Sequence, residues 1–204
     1  MSISTLMVIL PLAALYVAFL LWYRGGGKPL AREEIDRYLA ELRARASASA
    51  HPGGIRLADV ERLVEGDDGR EFVMQNLIRY REKALYPPGH DYGDSARAAD
   101  RRYGKAIIPH LLRYGCVPVF VARRCGSFYE PEGAERWDVV AMVRYRSRRD
   151  FLRFASAITR DGIAIHKWAA IETTQVFPVK PLLSLIFVRG AVGVVLAAIG
   201  LVLA

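Results

Sequence analysis

Three regimes of apolar and charged positions succeed one another along the chain. From Ser2 to Tyr23 no side chain is charged, and about 22 residues at about 1.5 Å each make roughly 33 Å of helix, enough to cross a bilayer core. A transmembrane helix is predicted over 2–23. After Lys180 the only charge is Arg189, and a second membrane helix is predicted over 181–204, with a helix lying partly in the membrane interface as the alternative. Between these ends the chain is charged, and every acidic residue falls between Glu33 and Glu172.

Within that middle the period changes several times. Ile35, Leu39 and Leu42 share one face of an amphipathic helix over 29–46, with Glu33, Glu34 and Asp36 in its early turns. The stretch 47–56, with His, Pro and two Gly, reads as a linker, and 57–66 as a short helix stopped by Gly66. Phe72 to Arg81 is rich in strand formers and alternates, with Phe72, Met74, Asn76, Ile78 and Tyr80 on one side. Ser95 is placed to cap a helix that ends at Gly115. Val117 to Ala122 and Trp137 to Tyr145 read as strands, and Ser147 caps a second helix broken near Asp161 and Gly162. Glu172 to Phe177 is a fourth strand, closed by Pro178. The order βαββαβ over 71–178 predicts an α+β, ferredoxin-like sandwich with helices on one sheet face. Its other face needs a cover, and a second copy of the chain would provide one by closing a barrel-like dimer.

Charge then sets the orientation. Arg24, Lys28, Arg32 and Arg37 follow the first span and Lys180 precedes the second, while neither tail carries Lys or Arg. The positive-inside rule therefore predicts a cytoplasmic middle, both termini outside, and an inner-membrane location. The long apolar stretch without a basic start reads as an uncleaved anchor rather than a cleaved signal peptide. Disorder, collagen, coiled coil and a disulfide-dense scaffold are excluded by composition. The two cysteines, Cys116 and Cys125, belong to no CxxC pair, and no metal or cofactor is expected. The formal net charge of +8 comes without a nucleic-acid motif. The dense cluster Arg144, Arg146, Arg148, Arg149 and Arg153 therefore reads as a solvated basic surface near anionic lipid, and nucleic acid is not an expected partner. No GxxxxGK[ST], GxSxG, HExxH or GxGxxG is present, which counts against nucleotide hydrolysis and serine-hydrolase chemistry.

The segments VMQNLIRYR, RRYGKAIIPHLLRYGCVPVF, ERWDVVAMVRYRSRRDFLRFAS and AIHKWAAIETTQVFP together resemble an uncharacterised family, a domain of unknown function, within the dimeric α/β-barrel superfamily. The resemblance covers about Glu71 to Pro178; the membrane segments depart from that family's usual soluble form. It implies a homodimer. The wider superfamily includes haem-degrading and quinol-forming monooxygenases, dye-decolourising and chlorite-processing haem proteins, and lactone isomerases, but a shared fold does not carry activity with it.

If the barrel forms, its cavity should be lined by one face of the sheet and the inward edge of the helices, which directs attention to a few polar residues. Asn76, in an apolar strand face, is a candidate catalytic residue able to orient a carbonyl or oxygen ligand, as the strand-one Asn of the superfamily's small monooxygenases does; the alternative is an amide bonded to neighbouring backbone. His166, after the helix break, is a candidate proton shuttle. Arg144 is a candidate carboxylate-binding residue, with an ion pair to Glu71 or Asp138 as its alternative. Tyr103 and Trp137 are candidate stacking surfaces for a flat ligand, with a core role as the alternative. Two readings remain open: a membrane-anchored protein with a small-molecule pocket, catalytic in an oxygenase- or isomerase-like way or not, and a non-catalytic, membrane-tethered interaction module with a filled interior.

Overall fold

The computed structural model describes residues 3–24, 27–46, 57–182 and 188–203; the predicted linker at 47–56 lies outside them. The chain forms two units, one of residues 1–26 with 181–204 and one of residues 27–180.

The first unit contains α1 (Ile3–Arg24) and a helix near the C-terminus, α7 (Val188–Leu203). α1 is long and apolar enough to cross a membrane, with Thr5–Arg24 as the span. α7 is apolar but has only 16 residues, about 24 Å of helix. The two helices pack where α7 is thinnest: a Cβ on Gly193 would stand 3.1 Å from the Tyr16 hydroxyl. Small residues at such crossings let backbones approach. The Tyr16 hydroxyl donates to the carbonyl of Arg189 at 3.1 Å, and the Arg189 guanidinium lies 4.9 Å from the centre of the Tyr23 ring. The charge in the apolar tail thus has an aromatic face against it.

The second unit is α+β. Its order is α2 (Arg32–Ala46), α3 (Leu57–Glu65), β1 (Phe72–Tyr80), α4 (Ala96–Arg113), β2 (Val117–Arg123), β3 (Val139–Tyr145), α5 (Arg148–Arg160), α6 (Ala164–Ala170) and β4 (Ile171–Val179). The four strands form one sheet in the order β2-β3-β1-β4, every neighbouring pair antiparallel. Pro118 and Pro178 sit in β2 and β4, the two edges, where a missing N–H leaves no ladder bond unmade. For that reason β4 runs through Pro178 to Val179 instead of closing there. β3 begins at Val139, two residues after Trp137.

Local chemistry explains the helix boundaries. Ser95 Oγ accepts from the Ala98 N–H and Ser147 Oγ from the Asp150 N–H, capping α4 and α5. Gly162, at φ +69°, turns the chain between α5 and α6. The alternation in β1 puts Phe72 and Met74 into a core with Leu111, Cys116, Tyr145 and Phe154. A second core joins Tyr38 and Leu39 of α2, Val60 and Val64 of α3, and Leu152 of α5. The segments before β1 are thus packed onto the unit that carries the sheet.

One end of this unit is held by a turn at Asp67–Gly69. Leu30 N–H donates to Asp67 Oδ2 at 2.7 Å, and Arg149 donates to the carbonyls of Lys28 and Pro29 and to both Glu34 oxygens. Arg148 reaches Asp67 and Asp68 at 3.3 and 3.2 Å, and Lys180 reaches Asp68 at 2.7 Å. Gly69, at φ +69°, has Gly27 O, Lys28 C and Pro29 N within 2.6–2.7 Å of where a Cβ would stand. Glycine is needed there for both space and backbone angle. The cluster read as a solvated basic surface is largely tied to carboxylates, with Arg144 on Glu71 and Arg146 on Asp150 as well.

Candidate functional site

Between the sheet and α3–α6 lies a cavity of about 980 Å³, at the upper end of small-molecule sites. Its floor is the inward face of the sheet: Met74, Asn76, Ile78 and Tyr80 of β1, Val139, Ala141 and Val143 of β3, Thr174 and Val176 of β4. Its roof is Tyr103, Ile107 and Leu111 of α4, Phe154 and Ile158 of α5, and Lys167 and Trp168 of α6. The strand period of two and the helix period of about 3.6 turn these side chains toward one space. The lining is mostly apolar, with a few polar groups.

Asn76 stands opposite Ala141 and Val176 in the register. Its Nδ2 donates to the Met74 carbonyl at 3.0 Å and to that of Ala141 at 3.4 Å. Those two bonds use both amide hydrogens and leave Oδ1 as an acceptor in the cavity wall. Tyr80 Oη donates to Asp100 Oδ2 at 2.8 Å; burial first, and then that carboxylate, hold the phenol above its usual pKa. Burial and the charge of Asp100 do the same to Tyr103. Neither phenol ionises near neutral pH, so both act as neutral donors or apolar faces.

The side chain that sequence reasoning missed is Lys167. Its Nζ lies 5.9 Å from the centre of the Tyr103 ring and 5.1 Å from that of Trp168. Among the described residues it makes no ion pair or hydrogen bond. Burial lowers its pKa, and Asp100 opposes the shift only in part. The available signal was a single charge in the otherwise uncharged α6 run AIHKWAA. One Lys in a short helix reads as surface until the fold is known.

Of the predicted site residues, Asn76 and Tyr103 line the cavity, whereas Arg144, Trp137 and His166 do not. Arg144 is 4 % exposed and donates through Nε to Glu71 at 3.0 Å and through Nη1 to the Gly115 carbonyl at 3.0 Å, the ion-pair alternative. Trp137 precedes β3 beside Asp138, whose Oδ2 accepts from the Tyr80 N–H at 2.8 Å. His166 Nδ1 shares a hydrogen bond of 2.9 Å with the Tyr86 hydroxyl, and Tyr92 meets its ring edge-on at 4.9 Å. Burial first, then Arg102 and His90, lower its pKa, so the imidazole is neutral over a wider range than usual. Cys116 is buried, and its thiol, pushed up to about 12 mainly by burial, is unreactive near neutrality. No group of three metal-ligating side chains occurs among the described residues.

Several solved structures share this fold, and two of them serve for comparison. Both are of a Rhodopseudomonas palustris protein of unknown function determined as a structural genomics target, one of them in methylated form. The first is 23 % identical with a TM-score of 0.58, covering 65 % of this chain and 98 % of its own. The methylated form is 24 % identical with a TM-score of 0.58, covering 66 % and 98 %. At this identity the likeness is one of fold. No family model matches the chain, and no curated protein matches it.

Proposed function

We propose that the chain is a membrane-anchored, small-molecule-binding protein whose ligand occupies the cavity between the sheet and α3–α6. The observation that carries this reading is the cavity itself: about 980 Å³ is unfilled, whereas an interaction module with a filled interior would have its core side chains there. A mostly apolar lining with convergent polar groups is the usual composition of a ligand site. Asn76 Oδ1 would accept from a ligand hydroxyl, and Tyr103 would cover a flat ring.

The strand order β2-β3-β1-β4 supports a ferredoxin-like sandwich of the kind that pairs into dimeric α/β barrels. On the sheet face opposite the side chains of Asn76, Ala141 and Val176, Phe120, Met142, Gln75 and Phe177 stand in one cross-strand row, and Phe120 and Phe177 are 41 % and 37 % exposed. An exposed apolar row of this kind supports a homodimer in which a second copy would cover it. Anchoring rests on α1. The basic residues after it and before the C-terminal segment support a domain on the cytoplasmic side of the inner membrane, with α7 inserted as a second span.

The test is native mass spectrometry of the full chain released from detergent, with absorbance and metabolite analysis of anything that dissociates. A dimer carrying a stoichiometric small molecule is expected. A ligand-free protein that binds nothing from a chemically diverse compound set would overturn the pocket reading in favour of the interaction module.

A further inference from the structure

Lys167 is out of keeping with its surroundings. It projects from a seven-residue helix into a space walled by Tyr103, Trp168, Ile107 and Ile158. Desolvating an ammonium is costly unless an anion or a set of acceptors meets it. The nearest acid in the cavity wall, Asp100, is engaged by the Tyr80 hydroxyl and forms no ion pair with Lys167 among the described residues. Asp59 and Arg62, also in the wall, pair with each other. Among the described residues, two aromatic rings are what Lys167 has in place of a counter-ion, and its side chain lines the open volume.

We propose that the cavity binds an aromatic carboxylic acid, with the carboxylate paired to Lys167 and the ring system seated against Trp168 and the apolar face of β1. This rests on the pocket reading above and names the ligand class that reading leaves open. A carboxylate supplies the charge Lys167 lacks, and against a mostly apolar lining such a pair is stronger than in water. A flat ring matches the Tyr103 and Trp168 surfaces and the largely apolar sheet floor. A bound carboxylate would also favour the charged form of the amine, which burial alone disfavours.

The experiment uses the full chain in detergent with a matched pair of fluorescent probes, anthracene-2-carboxylate and 2-(hydroxymethyl)anthracene, titrated at pH 7 in the same micelles. The acid is expected to bind at least about tenfold more tightly than the alcohol, and Lys167→Met to remove that preference while leaving the alcohol affinity within about twofold. Alcohol binding by the variant doubles as the check that its cavity has formed. Asp100→Asn is expected to keep or raise the preference. Equal binding of the two probes, or a preference that survives Lys167→Met, overturns the assignment while leaving the cavity a ligand site. Binding of neither probe overturns it together with the pocket reading.

Discussion

Two regions of the α+β unit solve opposite problems with the same residue types. Around the Asp67–Gly69 turn, Arg148, Arg149 and Lys180 each meet a carboxylate, and the backbone is so close that no Cβ fits at Gly69. Around Asn76 and Tyr103, about 980 Å³ is open, and Lys167 has two aromatic rings against it and no ion pair among the described residues. Paired charge with tight packing secures a conformation, whereas unpaired charge beside empty volume costs stability and is retained where something must be bound. The contrast separates what holds this unit together from the site proposed for its ligand.

Four substitutions or titrations bear on that contrast. The largest effect is expected from Gly69→Ala, which should destabilise by about 3 kcal/mol or more, since the new methyl meets backbone and the left-handed angle is strained; denaturant unfolding followed by near-ultraviolet circular dichroism measures it. Arg148→Met should cost about 2 kcal/mol by leaving the buried Asp67 carboxylate without its cation, and the same unfolding assay would detect it. A loss under about half that would mean the clamp is ornamental and the contrast false. Acid should act next. The hydrogen bond from Arg149 holds the Glu34 carboxyl down at about 2, against 4.5 ordinarily. The stability it contributes is therefore complete above about pH 4.5 and lost as pH falls toward 2, roughly 1 kcal/mol for a partly exposed pair. Arg149→Gln should flatten that part of the stability–pH curve. Smallest, and opposite in sign, Lys167→Met should raise stability by about 1 kcal/mol in the unliganded protein. A loss instead would place Lys167 among the groups that hold the fold.

Sequence periodicity carried much of this architecture. The alternation Phe72, Met74, Asn76, Ile78, Tyr80 is the face that meets the helices, and the break at Gly162 lies where α5 gives way to α6. These are local signals, set by two- and four-residue spacing. What was not legible depends on distant partners. Leu152 shares a core with Leu39 and Val60, and nothing within either segment announces the other. Arg148 and Arg149 read as part of a solvated patch because their acids, Glu34, Asp67 and Asp68, lie far away in sequence, 80 to 115 residues from them. Lys167 escaped because a strand's depth can be read from its flanks, whereas a short helix gives too few positions to fix which side faces inward. Among the candidates, Asn76 followed from strand alternation and Tyr103 from helical spacing; the surroundings of His166 are set by Tyr86 and Tyr92, in a loop without periodicity.

The Asp67–Gly69 turn fastens Leu30 at the beginning of the unit and Lys180 at its end. A polypeptide whose first and last residues are pinned to one spot is topologically a closed ring with a nick, and loses little when the nick is moved. Joining residues 27 and 180 by a short glycine-serine bridge and opening the chain at the Gly126–Gly133 turn should therefore give a circular permutant of 27–180 that still folds.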